Sequence, residues 1–237
     1  MDDPALDSAE HRRALDGLSR INRLSRTVAD LWKPIEAHAI AAGRAVRVLD
    51  LACGGGDVTV GLRQRAIRAG LPIRVNGCDL SGVAINRSRE LARREQADCD
   101  FFALDAVREP LPDGYDAIVS SLFLHHLTDE QAMDLLRRSA SAAALVVMSD
   151  LVRSGPAWVA TWLGTRVISR SGVVHDDGPS SVAAAFTVAE MRRLLERARL
   201  EGATVTPTWP MRMLITRRER ARDTVAEHAT RPKEQAA

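Results

Sequence analysis

The stretch VRVLDLACGGGDVT, Val46 to Thr59, sets the tightest limit on what this chain can become. An apolar, β-branched run holding one acid, Asp50, reads as a buried strand. Three glycines then bare the backbone, and Asp57 is placed to cap a following helix. A strand that feeds a glycine turn at a helix N-terminus belongs to a parallel α/β sheet. It is also a place to seat a ligand, because the backbone can be approached closely and the helix's free N–H groups point outward.

The same rhythm continues from about Ala45 to Leu151, where short apolar runs alternate with helical stretches. IRVNGCDL, CDFFALDA, YDAIVSSLFL and AAALVVMSDL are expected strands, the last almost continuously apolar, as where both sheet faces are covered. Between them, a helix from Asp57 stops at Gly70-Leu71-Pro72, Ser81 caps a second through Gln96, and Thr128 with Gln131 forms a capping box before Met133 to Ser139. Ahead of this region Leu15, Leu18, Ile21, Leu24, Val28 and Leu31 recur at helical spacing, with Pro34 interrupting, which predicts one or two amphipathic helices ending at Gly43.

Beyond Leu151 the rhythm breaks. A helix is expected from Pro156, with Trp158, Val159, Trp162, Leu163 and Val167 on one stripe, then a loop, SGVVHDDGPSS. Thr187 with Glu190 caps another helix to Leu200, and ATVTPTW and MRMLITR read as a closing pair of strands. From Arg217 the sequence is charged and loses apolar periodicity after Val225, as in a frayed helix and a disordered tail. The expected division is a helical cap over 1–44, an α/β domain over 45–218 with an insertion at about 152–186, and a tail over 219–237.

Composition narrows the partners. The 237 residues suit one core, and a net charge of +2 arises from scattered arginines against nearly as many acids, with Lys33 and Lys233 the only lysines. No basic block supports nucleic-acid binding. No apolar run approaches the roughly 18 residues of a membrane span, and MDDPALDSAEHRR lacks a secretory core, so a cytoplasmic chain, monomer or homodimer, is expected. Cys53, Cys78 and Cys99 lack C-x-x-C spacing and sit in or beside apolar runs, as small buried hydrophobes do.

Two cofactor classes use a bare turn of this kind. A dinucleotide wants G-x-G-x-x-G, but after Gly54 and Gly56 the third position is Thr59. The other is S-adenosylmethionine, which needs no diphosphate seat. Both place an acid on the ribose hydroxyls, and Asp79, ending the second strand, stands where that acid belongs.

VLDLACGGG resembles the first motif of class I S-adenosylmethionine-dependent methyltransferases, an acid in the strand followed by G-x-G-x-G. Asp50 matches the acid, Gly54 and Gly56 the last two glycines, and Ala52 stands for the first. The resemblance implies that Leu80 packs on the adenine, that Asp105 of Leu104-Asp105-Ala106 reaches the adenine amino group, and that Ser121 lies near the methionine portion. It further implies a Rossmann-like α/β fold: a mostly parallel seven-stranded sheet with an antiparallel last strand and helices on both faces. S-adenosylmethionine is the implied cofactor and S-adenosylhomocysteine its product. SASAAA replaces the common Pro-Gly-Gly turn before the fifth strand, so a helical or otherwise tight connection is expected there.

Candidates for the chemistry stand at the ends of strands four and five. LHHL…SDL resembles small-molecule O-methyltransferases of natural products, which implies His125 as base and Asp150 as its orienting acid, with one of His125 and His126 facing the acceptor and the other packing. His175 is the rival base, in an insertion that covers the substrate. The tryptophan stripe either lines an apolar acceptor pocket or is the buried face of a helix. Catechol-type relatives place an Asp-Asn pair on magnesium; none follows Asp150, and no metal is expected. The first-zone helices would cap the cofactor cleft, with Arg20, Asn22 or Arg23 near its carboxylate.

The reading is methyl transfer to a small molecule, favouring a hydroxyl of an aromatic, polyketide or quinone-like metabolite over carbon or nitrogen. Two others stay open: a catalytically silent methyltransferase-like binding domain, and a nucleotide-dependent oxidoreductase disfavoured by Thr59 and by the antiparallel-looking end.

Overall fold

In the computed structural model, which describes residues 26–155, 157–158 and 179–219, strand β1 (Val46–Leu51) lies at the middle of a seven-stranded sheet. β2 (Ile73–Asp79) and β3 (Phe101–Ala103) extend it on one side; β4 (Ala117–Ser121), β5 (Leu145–Leu151), β7 (Arg212–Arg218) and β6 (Thr204–Thr208) follow on the other. The order is therefore β3-β2-β1-β4-β5-β7-β6. β1 to β5 are parallel, while β7 runs antiparallel to both β5 and β6. This is the sheet expected from the sequence. Its order reverses between β1 and β4, and in such sheets the crevice beyond the strand ends at the reversal holds the ligand.

Helices cover both faces. α1 (Thr27–Ala42) and α2 (Asp57–Arg68) bury Leu31, Trp32, Ile35, Val58, Leu62 and Ala66 against Val46, Val48, Ala117, Val119, Leu145 and Val147. On the opposite face α4 (Asp129–Ala142) and α5 (Val188–Arg197) set Leu135, Leu136, Met191, Leu194 and Leu195 on Leu49, Leu51, Ile118, Val146 and Met148. α3 (Gly82–Arg94) closes the edge near β3 through Ile85, Ala92 and Phe101.

Local signals hold where the chemistry is local. Ser81 Oγ accepts from Ala84 N–H at the start of α3, and complete capping boxes open α4 at Thr128 with Gln131 and α5 at Thr187 with Glu190. SASAAA continues α4 to Ala142 and passes into β5 within two residues, a tight helical connection.

Three details differ from the sequence reading. Pro34 does not interrupt the first helix: α1 runs through it without a break. An internal proline costs about 3 kcal/mol, and burial of Leu31, Trp32 and Ile35, at roughly 1.5–3 kcal/mol for each large side chain, exceeds that. Asp57 is not the cap of α2; Gly56 holds that position in the left-handed region, and Asp57 is the first helical residue. Arg217 begins no helix, because β7 continues through Arg218, paired with β5 to its first residue. Most of the stripe expected after Pro156 lies outside the described residues, as does the tail.

Among the described residues no helix is long and apolar enough to cross a membrane.

Candidate active site

The glycine turn is held by two other elements, β2 and α3. Cys53 N–H donates to Cys78 O at 2.9 Å, Gly54 N–H to Asp79 Oδ2 at 2.9 Å, and Ser88 Oγ of α3 to Gly54 O at 2.8 Å. A Cβ on Gly56 would meet Ser88 Cβ at 2.8 Å, and φ is +79° there. Glycine is thus required twice over, by space and by conformation.

Ala52, which stands for the first glycine of the motif, takes a backbone conformation that favours glycine. Its φ is +52°, a conformation that costs an L-residue roughly 1–2 kcal/mol and a glycine nothing. Leu122, just past the end of β4, is also left-handed at φ +58°, its N–H bonded to Ser149 O at 2.9 Å. Strained backbone thus lies at the carboxyl ends of both strands that flank the crevice, where strain gathers at functional sites.

Asp50 sits beneath the turn, 1% exposed. Thr59 Oγ1 donates to its Oδ2 at 2.7 Å, while Oδ1 is buried and meets no partner among the described residues. Burial, reinforced by Asp57 and Asp79 and opposed by the Thr59 hydrogen bond, pushes the carboxyl up to about 7. Thr59, which argued against a dinucleotide, is therefore the clamp on this acid. No local pattern marks that role.

At the end of β2, Asp79 accepts from Gly54 N–H and, through Oδ1, from Ser81 N–H at 2.8 Å. Leu80 beside it is 71% exposed, an open apolar face next to the turn. Asp105 Oδ1 takes the N–H groups of Val107 and Arg108, at 2.9 and 3.2 Å, closing a turn. Ala106 is buried in the core below. Ser121 ends β4 with its Oγ buried and unpartnered among the described residues.

His125 and Asp150 meet as a buried pair. A short 3₁₀ turn, Leu124–His126, follows β4 and brings His125 Nδ1 to 2.6 Å from Asp150 Oδ1; the His125 backbone N–H donates to Oδ2 at 3.1 Å. Leu151 N–H adds a third donor at 2.6 Å. Burial works to raise the Asp150 carboxyl, but His125 and these hydrogen bonds outweigh it and hold the group below the usual carboxylate range. An ionised carboxylate only accepts, so Nδ1 is the donor in this contact. His126 is exposed, its ring centroid 4.1 Å from that of His125.

One residue escaped the sequence reading. Arg212, on the last rung of the β5–β7 ladder opposite Leu151, is 3% exposed and donates to Thr27 Oγ1 of α1 at 2.7 Å. Burial lowers its guanidinium to about 10, against the pull of Asp150, Asp57 and Asp30. An arginine in an amphipathic closing strand looks like a solvent-facing residue, and only the tertiary fold covers it.

His175, Trp162, Leu163, Val167, Arg20, Asn22, Arg23, Asp176 and Asp177 lie outside the described residues. Among those described, no three His, Cys, Asp or Glu side chains gather as a metal site would require.

Residues 48–144 match the methyltransferase domain family. The demethylmenaquinone methyltransferase of Thermus thermophilus is 32% identical over 132 residues, covering 54% of this chain and 58% of that one. A 3-hydroxy-5-methyl-1-naphthoate 3-O-methyltransferase of Streptomyces sahachiroi is 30% identical over 119 residues, 46% of this chain and 33% of that one. This chain thus spans between a third and somewhat over half the length of these two relatives. Among solved structures, human N-acetylserotonin methyltransferase in complex with S-adenosylmethionine superposes with a TM-score of 0.65 at 14% identity, over 90% of this chain and 56% of that one. The plantazolicin methyltransferase in complex with S-adenosylhomocysteine gives 0.61 at 14% identity, over 90% and 96%. Over residues 48–144 the chain is thus similar to the methyltransferase domain family, and its fold is that of these solved methyltransferases.

Proposed function

We propose that this chain transfers a methyl group from S-adenosylmethionine to a small-molecule acceptor, a hydroxyl of an aromatic, polyketide or quinone-like metabolite. The observation that carries the reading is the buried 2.6 Å contact between His125 Nδ1 and Asp150 Oδ1, at the carboxyl ends of the two strands next to the glycine turn. The named relatives that act on a quinone precursor and on a naphthoate hydroxyl support the acceptor class.

The residues present fit the cofactor. The turn from Gly54 to Gly56 offers close backbone approach, Asp79 places a carboxylate at the end of β2 for the ribose hydroxyls, and exposed Leu80 offers a face for the adenine. Asp50 Oδ1 and Ser121 Oγ, both buried without partners among the described residues, suit the polar amino-acid end. Bound there, the cofactor supplies an already activated methyl group. The chain's own tasks are to position the acceptor, exclude water and take one proton. His125 Nε2 accepts the hydroxyl proton as the oxygen–methyl bond forms. Asp150 fixes the tautomer and stabilises the imidazolium that results.

Calorimetry with S-adenosylhomocysteine and with NAD tests the cofactor. Binding of NAD alone would overturn the class. Transfer of a labelled methyl group to a panel of hydroxynaphthoates and hydroquinones, with NMR of the products, tests the acceptor and the atom methylated. Homocysteine-product binding with no transfer to any acceptor favours the silent domain.

A further inference from the structure

At the amino ends of β1 and β2, the end of the sheet away from the glycine turn, two arginines stand side by side. The parallel register pairs Arg47 with Arg74, so both side chains leave the same face. The chain passes from β3 to β4 without a helix, and both residues are exposed. Like charges on neighbouring strands repel each other. Among the described residues the Arg74 guanidinium makes no hydrogen bond or ion pair. The Arg47 guanidinium lies over the Tyr115 ring, 4.6 Å from its centroid, and likewise has no acceptor there.

Both arginines border a cavity of about 580 Å³ whose wall supplies a further donor. Asn76, two positions beyond Arg74 on β2, donates through Nδ2 to the Tyr115 hydroxyl at 3.1 Å. The phenol's own hydrogen is thereby left without an acceptor among the described residues. Two acids share the cavity. Asp116 is already engaged, by Arg44 at 2.5 Å and by the Arg47 backbone N–H at 2.8 Å. Asp100 leads into β3 and makes no side-chain hydrogen bond or ion pair among the described residues. Because the strands run in the order β3-β2-β1-β4, Asp100 and Asp116 bracket the two arginines. A long polyanion would meet both acids, whereas a compact anion meets the two guanidiniums and the phenol between them.

We propose that this cavity is a second binding site, for a phosphate group, held by Arg47, Arg74 and the Tyr115 hydroxyl. A phosphate monoester carries about −1.5 to −2 charges near pH 7 and three terminal acceptor oxygens, which match two guanidiniums and one phenol hydrogen. A carboxylate brings one charge, which a single arginine fork satisfies, and would leave the other arginine unbalanced. The site lies at the opposite strand ends from His125 and Asp150, so it does not rest on their reading as a proton-accepting pair.

The test is isothermal calorimetry and phosphorus NMR of the whole chain with inorganic phosphate and with phenyl phosphate, at an ionic strength fixed by chloride. Saturable binding at one site is expected. Tighter binding of phenyl phosphate would mark an organic monoester as the ligand, and equal binding the free ion. Arg74→Gln, at an exposed position, is expected to weaken binding at least about tenfold, since it removes a charge-assisted donor. Tyr115→Phe keeps the ring beneath Arg47 and is expected to weaken it about three- to tenfold. Arg193→Gln, exposed on α5, is the control and should stay within about twofold. Saturating S-adenosylhomocysteine should leave phosphate binding unchanged. Binding weaker than about 10 mM, an equal loss in Arg193→Gln, or displacement by S-adenosylhomocysteine would each overturn the proposal. Calorimetry with S-adenosylhomocysteine alone reports the cofactor reading separately, and its failure would leave the phosphate result standing.

Discussion

His125 and Asp150 are twenty-five positions apart in the chain yet share a buried 2.6 Å hydrogen bond between Nδ1 and Oδ1. His125→Gln is expected to lower kcat for a hydroxyl acceptor by about 10²–10⁴-fold, the usual contribution of a positioned base. The dissociation constant for S-adenosylhomocysteine should stay within about twofold. A labelled-methyl assay with calorimetry checks both, and unchanged kcat would remove His125 from the mechanism.

Asp79 accepts from the backbone of Gly54 through Oδ2 and of Ser81 through Oδ1. Hydrogen bonds to a charged group contribute about 1.5–3 kcal/mol each. Asp79→Ala is therefore expected to weaken S-adenosylhomocysteine binding by at least about tenfold, with a fall in Tm because the turn loses its tether. Isothermal calorimetry and a thermal melt separate the two effects.

Ala52 and Gly56 make opposite demands on the same turn. Ala52→Gly relieves a φ of +52° and is expected to stabilise the fold by about 0.5–1 kcal/mol. Gly56→Ala must place a methyl group 2.8 Å from Ser88 Cβ at φ +79°, and is expected to cost about 1–3 kcal/mol or more. Urea unfolding curves read both, and a stabilised Gly56→Ala would contradict the packing described for α3.

Asp50 couples stability to pH. Burial first, with Asp57 and Asp79 adding to it, raises this carboxyl to about 7 from an ordinary value near 3.8. Between those values the folded chain binds a proton that the unfolded chain has released, so this group's contribution to stability falls as pH rises from about 4 to 7. Asp150 has the opposite sign: its depressed ionisation contributes stability above the ordinary carboxylate range, lost as pH falls through its own lower value. Asp50→Asn is expected to flatten the decline between pH 5 and 8, measured by urea unfolding across that range, whereas Asp150→Asn should leave that slope intact.

What could be seen in advance follows the reach of the forces involved. Ser81, Thr128 and Thr187 cap helices through hydrogen bonds spanning three residues, so a single sequence reveals them. The strands and their parallel order were visible because short apolar runs such as Leu145–Met148 alternate with helical stretches. Pro34 was misleading because its cost is local while the burial of Leu31 and Trp32 that exceeds it depends on a sheet formed later in the chain. Thr59 and Arg212 were illegible for the same reason. One faces Asp50 across the β1–α2 turn, and the other is buried only once β7 lies under α1. The left-handed backbone of Ala52 had a sequence signal after all, in the glycine that the family motif places there.

The antiparallel seating of β7 between β5 and β6 has a consequence for how the molecule is made. As the ribosome emits the chain, β5 can dock on β4, yet its outer edge stays bare of partners until Arg218 has emerged. Through that interval an almost wholly apolar strand offers open N–H and C=O groups to any neighbour, the ordinary invitation to cross-pairing and precipitation. A copy cut short before Arg212 would keep every glycine of the turn and still expose that edge for good, so poor recovery from cells would be its signature.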